Sequence, residues 1–352
     1  MKCSVLGWVS VFAMAAIPVV GCSDESTGAG GNDGTGGSVG EAFPCTELGI
    51  RDAIAEGGGP HTFDCEVPTP VVTQTEIVID NDVVLDGEGN LLVDGNDSHR
   101  VFSVAQGVTV GLLGFTVTGG FVGSGPKSGS SGGGILNDGT LTLTKSTVSG
   151  NTIGWGGGGG IDNRGLLTLT RTTVSDNSVL SVVSDGGGIL NSGTLTITNS
   201  TVSGNTSPFI DECTGSGISN SGTLAITNST VSGPPAPPCL IRNSGTLTIK
   251  SSVVDGGCEG DIASGGYNVE SPGDTCDFDE GSDRVSVSAG DLKLGRLTDN
   301  GGPTETHALR SGSLATNVIP APMCGVDEDQ RGVMRPQGVG CDVGSFELEP
   351  AP

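Results

Sequence analysis

The sequence predicts an all-β chain folded as a right-handed parallel β-helix, a solenoid closed at its N-terminal end by a short capping helix. One phrase with fixed internal spacing recurs five times and reads Asn-x-Gly-x-Leu-x-Leu/Ile, with a Val seven residues after the first Leu. Only the stretch between one Val and the next Asn varies in length. A period of about 20 to 30 residues with one rigid half is typical of stacked coils that share a continuous core.

Composition and charge support this prediction and exclude some partners. The 352 residues include 63 Gly, and aromatic residues make up 3% of the chain, too few for a conventional globular core of this length. Thin coils filled by a few Leu, Ile and Val need neither large rings nor long apolar runs. The formal net charge of −25 argues against nucleic acid as a partner, because phosphate binding needs clustered Lys and Arg.

Within each repeat, side chains of alternate parity face opposite sides of the strand. Leu141 and Leu143 therefore share the inward face, and Thr142 and Thr144 share the outward one. An Asn recurs on the inward parity once per coil, and a buried amide is costly unless it is hydrogen-bonded. Coils about 4.8 Å apart would let each amide bond the next, as a ladder. The predicted ladder consists of Asn137, Asn163, Asn191, Asn220 and Asn243.

The chain divides into five predicted segments. Leu48, Ile50 and Ile54 lie near helical spacing, which indicates a short amphipathic helix over the open end of the solenoid. A Gly/Ser/Asp-rich stretch without apolar periodicity precedes it and is typical of a flexible tether. The segments are a signal peptide (1–21), the tether (22–44), the β-helix with its cap (45–285), a C-terminal region (286–347) and a tail (348–352).

The first 22 residues have the pattern of an export signal. Lys2 provides a minimal positive region, an apolar run covers residues 4–20, and Val19-Val20-Gly21-Cys22 ends it. This tetrad resembles a bacterial lipobox, which implies that Cys22 is acylated and becomes the first mature residue. Ser23 follows where lipoproteins retained in the inner membrane usually carry Asp. The expected location is therefore the bacterial outer membrane, on either its periplasmic or its outer face, with the membrane as a partner through Cys22.

The remaining cysteines predict disulfides. After removal of Cys3 and lipidation of Cys22, an even number is left in an exported chain. In a solenoid only sequence neighbours lie close together, so each cysteine is expected to pair with the next. The expected pairs are Cys45–Cys65, Cys213–Cys239, Cys258–Cys276 and Cys324–Cys341.

Candidate chemistry on the outward faces is sparse. Polysaccharide hydrolysis needs two carboxylates, and elimination needs a base with a neutralised uronate. The outward positions of the regular strands carry mostly Thr instead, with Ala225 and Lys250 as exceptions, and hydroxyls do not act as acids or bases at neutral pH. The three histidines, His61, His99 and His307, are expected to lie far apart, since sequence distance in a solenoid is axial distance.

No cofactor is predicted apart from a weak candidate for calcium. Asp277, Asp279 and Asp283 alternate around Gly281 with a spacing similar to that of a calcium loop, although no Glu closes the loop. A second group of acidic residues crowds an early turn: Asp80, Asp82, Asp86 and Glu88. Solvated acidic turns are the favoured explanation of both groups.

The repeat and the C-terminal region resemble known families. The run Gly-Gly-Gly-Ile-x-Asn-x-Gly-x-Leu-Thr is similar to repeats of the polymorphic outer-membrane and pectate-lyase-like superfamily of parallel β-helices. Residues 299–304 (DNGGPT), 329–332 (DQRG), 335–336 (RP) and 341–347 (CDVGSFE) resemble the choice-of-anchor Q domain, although Ala315-Thr316-Asn317 replaces its usual Ala-Ile-Asp.

The resemblance implies a fold and a surface address but no particular reaction. The expected function is adhesion or surface interaction by a non-catalytic, lipid-anchored protein that binds an extracellular polysaccharide or protein. The alternative is a polysaccharide lyase or glycoside hydrolase of the pectate-lyase-like superfamily.

Overall fold

A computed structural model describes residues 42–123, 131–181, 185–208, 213–233 and 239–350. The chain divides into two compact units, Met1–Val39 and Gly40–Pro352, and all described residues belong to the second. The predicted signal peptide, Cys22 and most of the predicted tether lie outside the described residues. Within the described ranges, no helix is long and apolar enough to cross a bilayer.

The described fold begins with the predicted capping helix. Thr46 caps α1 by accepting a hydrogen bond from the Gly49 N–H through its side chain, and the helix buries Ile50, Ala53 and Ile54 against the end of the core. Phe43, in the predicted tether, already pairs with Phe63 in an isolated parallel bridge. The first elements are α1 (Glu47–Glu56), β1 (Gly58–Thr62), β2 (Thr69–Val72), β3 (Ile77–Ile79), β4 (Val83–Asp94), β5 (Phe102–Val104), β6 (Thr109–Thr118) and β7 (Phe121–Val122).

Each repeat forms a short Ile-x-Asn strand, a five-residue strand and a Thr-Val-Ser-type strand, and the early repeats add a two-residue strand. The strands are β8 (Ile135–Asn137), β9 (Thr140–Thr144), β10 (Thr147–Ser149), β11 (Thr152–Ile153), β12 (Ile161–Asn163), β13 (Leu166–Thr170), β14 (Thr173–Ser175), β15 (Ser178–Val179), β16 (Ile189–Asn191), β17 (Thr194–Thr198), β18 (Thr201–Ser203), β19 (Ile218–Asn220), β20 (Thr223–Thr227), β21 (Thr230–Ser232), β22 (Ile241–Asn243), β23 (Thr246–Lys250) and β24 (Val253–Asp255). A smaller coil follows with β25 (Cys258–Glu259), β26 (Ala263–Ser264) and β27 (Val269–Ser271).

The coils stack as parallel ribbons in register, which confirms the predicted parallel β-helix. Leu141 pairs with Leu167, and Leu167 with Leu195, in one unbroken parallel ladder. The Val positions stack in the same way, from Val148 through Val174. These side chains are at most 1% exposed and form one continuous core along the axis. The stacked strands make a 16-stranded, an 8-stranded and a 3-stranded sheet.

Two recurring features of the repeat have direct structural reasons. The Gly after each Asn lies against the coil below, and a Cβ on Gly193 would come within 2.1 Å of the Gly165 carbonyl oxygen. A left-handed residue then bends the chain between the five-residue strand and the Thr-Val-Ser strand, because an extended chain could not turn this corner. These corner residues have φ near +50° and are Lys145, Arg171, Asn199, Asn228 and Ser251.

The inward asparagines form the ladder that the parity argument predicts. The Asn137 amide donates to Asn163 Oδ1 at 2.7 Å, and the chain of amide bonds continues through Asn191 and Asn220 to Asn243 at 2.6–2.7 Å. All five are at most 6% exposed. Each ladder bond joins one coil to the next, so the row fixes the register of neighbouring coils as well as satisfying the buried amides.

The four disulfides pair the cysteines as expected from the solenoid topology. They join Cys45 to Cys65, Cys213 to Cys239, Cys258 to Cys276 and Cys324 to Cys341, with Cα–Cα distances of 5.3, 4.9, 4.8 and 5.7 Å. These separations are normal for disulfides. The first bridge ties the capping region and the last lies within the C-terminal region.

The C-terminal segment, which we define as residues 286–350, folds back against the β-helix. It has a small core of its own that includes Leu309 and Phe346, but Val253 and Val269 of the last coils belong to the same cluster. The predicted β-helix and C-terminal region therefore pack into one unit. The elements are α2 (Ala289–Leu292), β28 (Leu294–Thr298), β29 (Thr306–Leu309), β30 (Ile319–Pro320), a 3-10 helix (Ala321–Met323) and β31 (Gly340–Cys341).

Candidate functional site

One lateral surface of the β-helix carries mostly hydroxyl groups. It consists of the outward side chains of β9, β13, β17 and β20, all half-buried or exposed and all in parallel register. Their rows repeat at the strand spacing of about 4.8 Å, which makes the surface flat and regular. We call these side chains the hydroxyl face: Thr140, Thr142, Thr144, Leu166, Thr168, Thr170, Thr194, Thr196, Thr198, Thr223, Ala225 and Thr227.

The hydroxyl face contains no ionisable side chain, although the chain has a net charge of −25. Its third column meets charged side chains where the column is extended at both ends. Strand register places Asp86 beside Leu113 and Leu113 beside Thr144 at one end, and Lys250 beside Thr227 at the other. The surface offers hydrogen-bond donors and acceptors and no fixed charge, so it suits an uncharged polar ligand.

A second hydroxyl row, on the Thr-Val-Ser strands, is covered by the C-terminal segment. Thr201 Oγ1 donates to Gln330 Oε1 at 2.7 Å, and Thr173 Oγ1 donates to the Glu305 carbonyl at 2.7 Å. The Ser345 N–H donates to Thr230 Oγ1 at 3.1 Å. The sequence does not predict this burial, because the covered Thr-Val-Ser strands have the same sequence pattern as the half-buried strand β10.

The corner residues also hold the C-terminal segment. Arg171 forms an ion pair with Glu328, and the Asn199 amide donates to the Glu328 carbonyl at 2.8 Å. The Asn228 amide donates to the Cys324 carbonyl at 3.2 Å. The exception in this row is Lys145, which stays exposed. One sequence signal of this docking exists: the last repeat has Val253 in place of the outward Thr, and Val253 is fully buried.

The motif that resembles a choice-of-anchor Q domain builds a buried charge network. Arg331 Nη2 lies 2.7 Å from Asp329 Oδ2, and Arg335 Nη1 lies 3.4 Å from Glu347 Oε2. Arg335 also donates to the carbonyls of Asp342 and Gly344 at 2.7 and 2.6 Å. Burial raises the pKa of the Glu347 carboxyl, and Arg335 partly opposes that shift. The charged groups of these side chains all bind partners within the C-terminal segment, so they stabilise that segment.

His307 joins the C-terminal segment to the β-helix. Its Nδ1 donates to the Gly295 carbonyl at 2.7 Å, which leaves Nε2 to accept from Ser203 Oγ at 2.8 Å. Burial lowers the pKa of His307, while the negative charge of Asp255 acts in the opposite direction. Ser203 and His307 are each 6% exposed. Because the partner of Nδ1 is a backbone carbonyl and the pair is buried, this contact is a structural latch.

The latch predicts a dependence of stability on pH. The pKa of His307 is lower in the folded chain than the unfolded value of about 6.5. As the pH falls through this value the unfolded state takes the proton first, so the stability present above it is lost at lower pH. His307→Gln should lose less of its free energy of unfolding between pH 7 and pH 5 than the wild type, as measured by urea unfolding at several pH values.

The matched control for this prediction is Ser203→Ala, which removes the hydroxyl but keeps the buried imidazole. It should lower stability by about 1 kcal/mol at every pH while keeping the wild-type slope. Asp255 faces His307 in the wild type and in Ser203→Ala, so its titration contributes equally to the slopes of these two proteins. Equal slopes for wild type and His307→Gln would contradict the assignment.

A carboxylate and an arginine also meet on the outer side of the 8-stranded sheet. Asp162 Oδ2 lies 2.8 Å from Arg164 Nη2, and Arg164 Nη1 lies 3.9 Å from Asp138. Burial raises the pKa of the Asp162 carboxyl, against the lowering effect of Arg164. The Asp162 side chain is only 2% exposed. A base that must reach a polysaccharide needs more access than this, so the pair is better suited to fixing the corner of the coil.

An open pocket lies at the end of the hydroxyl face, between the early coils and the C-terminal segment. Its volume is about 390 Å³. The lining combines two carboxylates, one ammonium group, two apolar side chains and two glycines. These residues are Asp86, Glu88, Gly89, Leu113, Gly114, Lys145 and Pro303.

The predicted calcium loop is not gathered into a metal site. Asp277 and Asp279 are exposed on either side of the buried Phe278. Asp283 accepts hydrogen bonds from the Asn268 N–H at 2.7 Å and from the Ser264 hydroxyl. Among the described residues, no group of three or more His, Cys, Asp or Glu side chains is arranged to hold a metal ion. In the early turn, Asp82 and Asp86 accept backbone N–H groups.

The fold was compared with those of solved proteins. It is similar to the crystal structure of pectate lyase Pel9A, with 15% sequence identity over 84% of this chain and 90% of that chain, at a TM-score of 0.37. No family model and no curated protein matches the chain. The likeness at this score supports no conclusion about activity, and the β-helix architecture is established by the strand pairing described above.

Proposed function

We propose that this protein is a lipid-anchored, non-catalytic binding protein of the bacterial outer membrane. Its ligand would be an extended, uncharged polysaccharide that lies on the hydroxyl face. The anchor follows from the lipobox-like tetrad that ends in Cys22. The observation that carries the binding role is the regular, uncharged hydroxyl face on an otherwise strongly acidic chain.

The hydroxyl face offers a ligand a regular array of hydrogen-bonding groups. Rows of Thr hydroxyls both donate and accept hydrogen bonds, and a flat stack presents them at one repeating distance. A neutral polysaccharide is a repeating chain of hydroxyl and ether oxygens, so it can bond many rows at once. A polyanion would instead approach a protein of net charge −25, and that repulsion opposes binding.

Placing charge on this face should weaken binding strongly. We expect the double variant Thr168→Lys/Thr196→Lys to bind insoluble β-glucan, mannan and xylan at least about tenfold more weakly than the wild type, because the long side chains break the flat contact. Binding is measured by co-sedimentation of the purified full-length protein with each polysaccharide. The stability of the variant should change little, since both positions point outward.

The control is Ser192→Lys/Ser221→Lys, which adds the same charge at exposed corner positions outside the hydroxyl face. This control should bind like the wild type. Equal binding by the wild type and the face variant, or no binding of any of the three polysaccharides, would refute the proposed function. The anchor is tested separately, in cells that express the full-length chain. The wild type should sediment with the membranes, and Cys22→Ala should not.

The second candidate is a polysaccharide-degrading enzyme, whose carboxylates would be Asp162 and Asp138 beside Arg164. The same incubations distinguish the two functions, because turnover creates new reducing or unsaturated ends. New ends that disappear in Asp162→Asn would replace the binding function with catalysis. Binding without new ends supports the non-catalytic function.

A further inference from the structure

We propose that the pocket at the end of the hydroxyl face binds a single neutral sugar unit and so fixes where a polysaccharide chain starts on the surface. This inference rests on the proposed function and adds its site of recognition. The pocket would take one ring through hydrogen bonds to Asp86, Glu88 and Lys145, and it would pack that ring against Leu113 and Pro303.

The acidic side of the pocket supplies acceptors for sugar hydroxyls. Hydrogen bonds to an ionised carboxylate are about twice as strong as neutral ones. Asp86 Oδ1 accepts the Glu88 N–H at 2.9 Å, which holds the carboxylate in place and leaves Oδ2 to a ligand. Glu88 itself has a left-handed backbone, with φ of 52°, and an exposed side chain. Two neighbouring acceptors suit the neighbouring hydroxyls of one sugar ring.

Lys145 supplies the donor. It occupies the same corner position as Arg171, Asn199 and Asn228, and each of those bonds the C-terminal segment. Lys145 is instead exposed, and no ion pair of the described residues uses its ammonium group. It is therefore the member of the row whose side chain remains available to a ligand.

The remaining walls fit the apolar side of a sugar ring. Leu113 and Pro303 contribute carbon surface on the two sides of the pocket, one from the β-helix and one from the C-terminal segment. A Cβ on Gly114 would come within 2.5 Å of the Gly89 backbone nitrogen, so this part of the wall closes only with glycine. A volume of about 390 Å³ is at the small end of ligand pockets, which suits a single sugar ring.

The position of the pocket on the hydroxyl face and the charges of its lining residues further restrict the class of sugar that it can bind. Asp86 extends the column that contains Thr144 and Thr170, so a chain that leaves the pocket along this column meets successive hydroxyls. Two carboxylates face one ammonium group, and a uronate would therefore be repelled on balance. The geometry favours a neutral hexose or pentose unit over an acidic one.

The experiment measures the affinity of the purified full-length protein for soluble tetrasaccharides of glucose, mannose and xylose, with tetragalacturonate as the acidic counterpart. We expect Asp86→Asn and Lys145→Met each to weaken binding of the preferred neutral tetrasaccharide by about tenfold in isothermal titration, the worth of one charged hydrogen bond. Asn keeps an oxygen acceptor for the Glu88 N–H, so the turn is preserved. Asp97→Asn is the control, because it removes the same charge from an exposed turn residue that does not line the pocket.

The outcomes separate this inference from the function on which it rests. Wild-type affinity in Asp86→Asn and Lys145→Met, with binding still lost in Thr168→Lys/Thr196→Lys, overturns the pocket and leaves the hydroxyl face. If neither the pocket variants nor the face variant binds more weakly than the wild type, both the pocket and the hydroxyl face are overturned as binding sites. Tighter binding of tetragalacturonate than of every neutral tetrasaccharide overturns the assigned sugar class. If Asp86→Asn is unfolded by circular dichroism, Glu88→Gln provides the same test, since the Glu88 side chain makes no hydrogen bond that the turn requires.

Discussion

Asn191→Ala should lower the free energy of unfolding by about 3 kcal/mol, since it breaks the ladder at its centre. In the wild type Asn191 accepts from the Asn163 amide at 2.7 Å and donates to Asn220 Oδ1 at 2.6 Å. All three side chains are at most 1% exposed, so water does not replace the lost bonds. The variant leaves buried polar atoms without partners above and below, and it opens a small cavity between the coils.

Urea unfolding of the wild type and the variant measures this effect. Thr196→Ala is the matched control, because Thr196 belongs to the same repeat but points outward on the hydroxyl face. The control should change stability by no more than about 0.5 kcal/mol. Equal stability losses in Asn191→Ala and Thr196→Ala would show that the ladder does not stabilise the coils.

Arg335→Met should destabilise the C-terminal segment by about 3–5 kcal/mol, because it removes one partner of a buried ion pair. The Arg335 side chain is fully buried, and Glu347, at 1% exposure, would lose the cation beside it. The carbonyls of Asp342 and Gly344 would lose their donors as well. Met fills most of the volume of the Arg335 side chain, so the loss of stability is due mainly to the lost charge and hydrogen bonds.

Limited proteolysis and urea unfolding together measure this second effect. Residues 286–350 should become susceptible to cleavage in Arg335→Met while the β-helix stays resistant, because the Asn ladder and the core do not depend on Arg335. Arg310→Met removes an exposed arginine of the same segment and should behave like the wild type. An unchanged cleavage pattern with unchanged stability in Arg335→Met would contradict the role of the buried network.

The capping helix, the parallel stack and the disulfide pairs were predictable because each depends on residues close in sequence or on a strict repeat. The inward Leu and Asn positions recur at one spacing, and stacking then aligns them without further information. Within the stack, sequence distance is axial distance. This rule does not hold for the C-terminal segment, where His307 lies against Ser203 because the segment returns along the outside of the solenoid.

The sequence by itself determined which side chains point inward and which outward, because that alternation is a local property of every strand. It also determined which coils are neighbours, since coils stack in chain order. Only the tertiary structure decided which outward row is open and which is covered, because a returning segment makes contacts more than a hundred residues away that follow no period. This packing leaves the hydroxyl face exposed. It also leaves Lys145 exposed in the pocket at the end of that face.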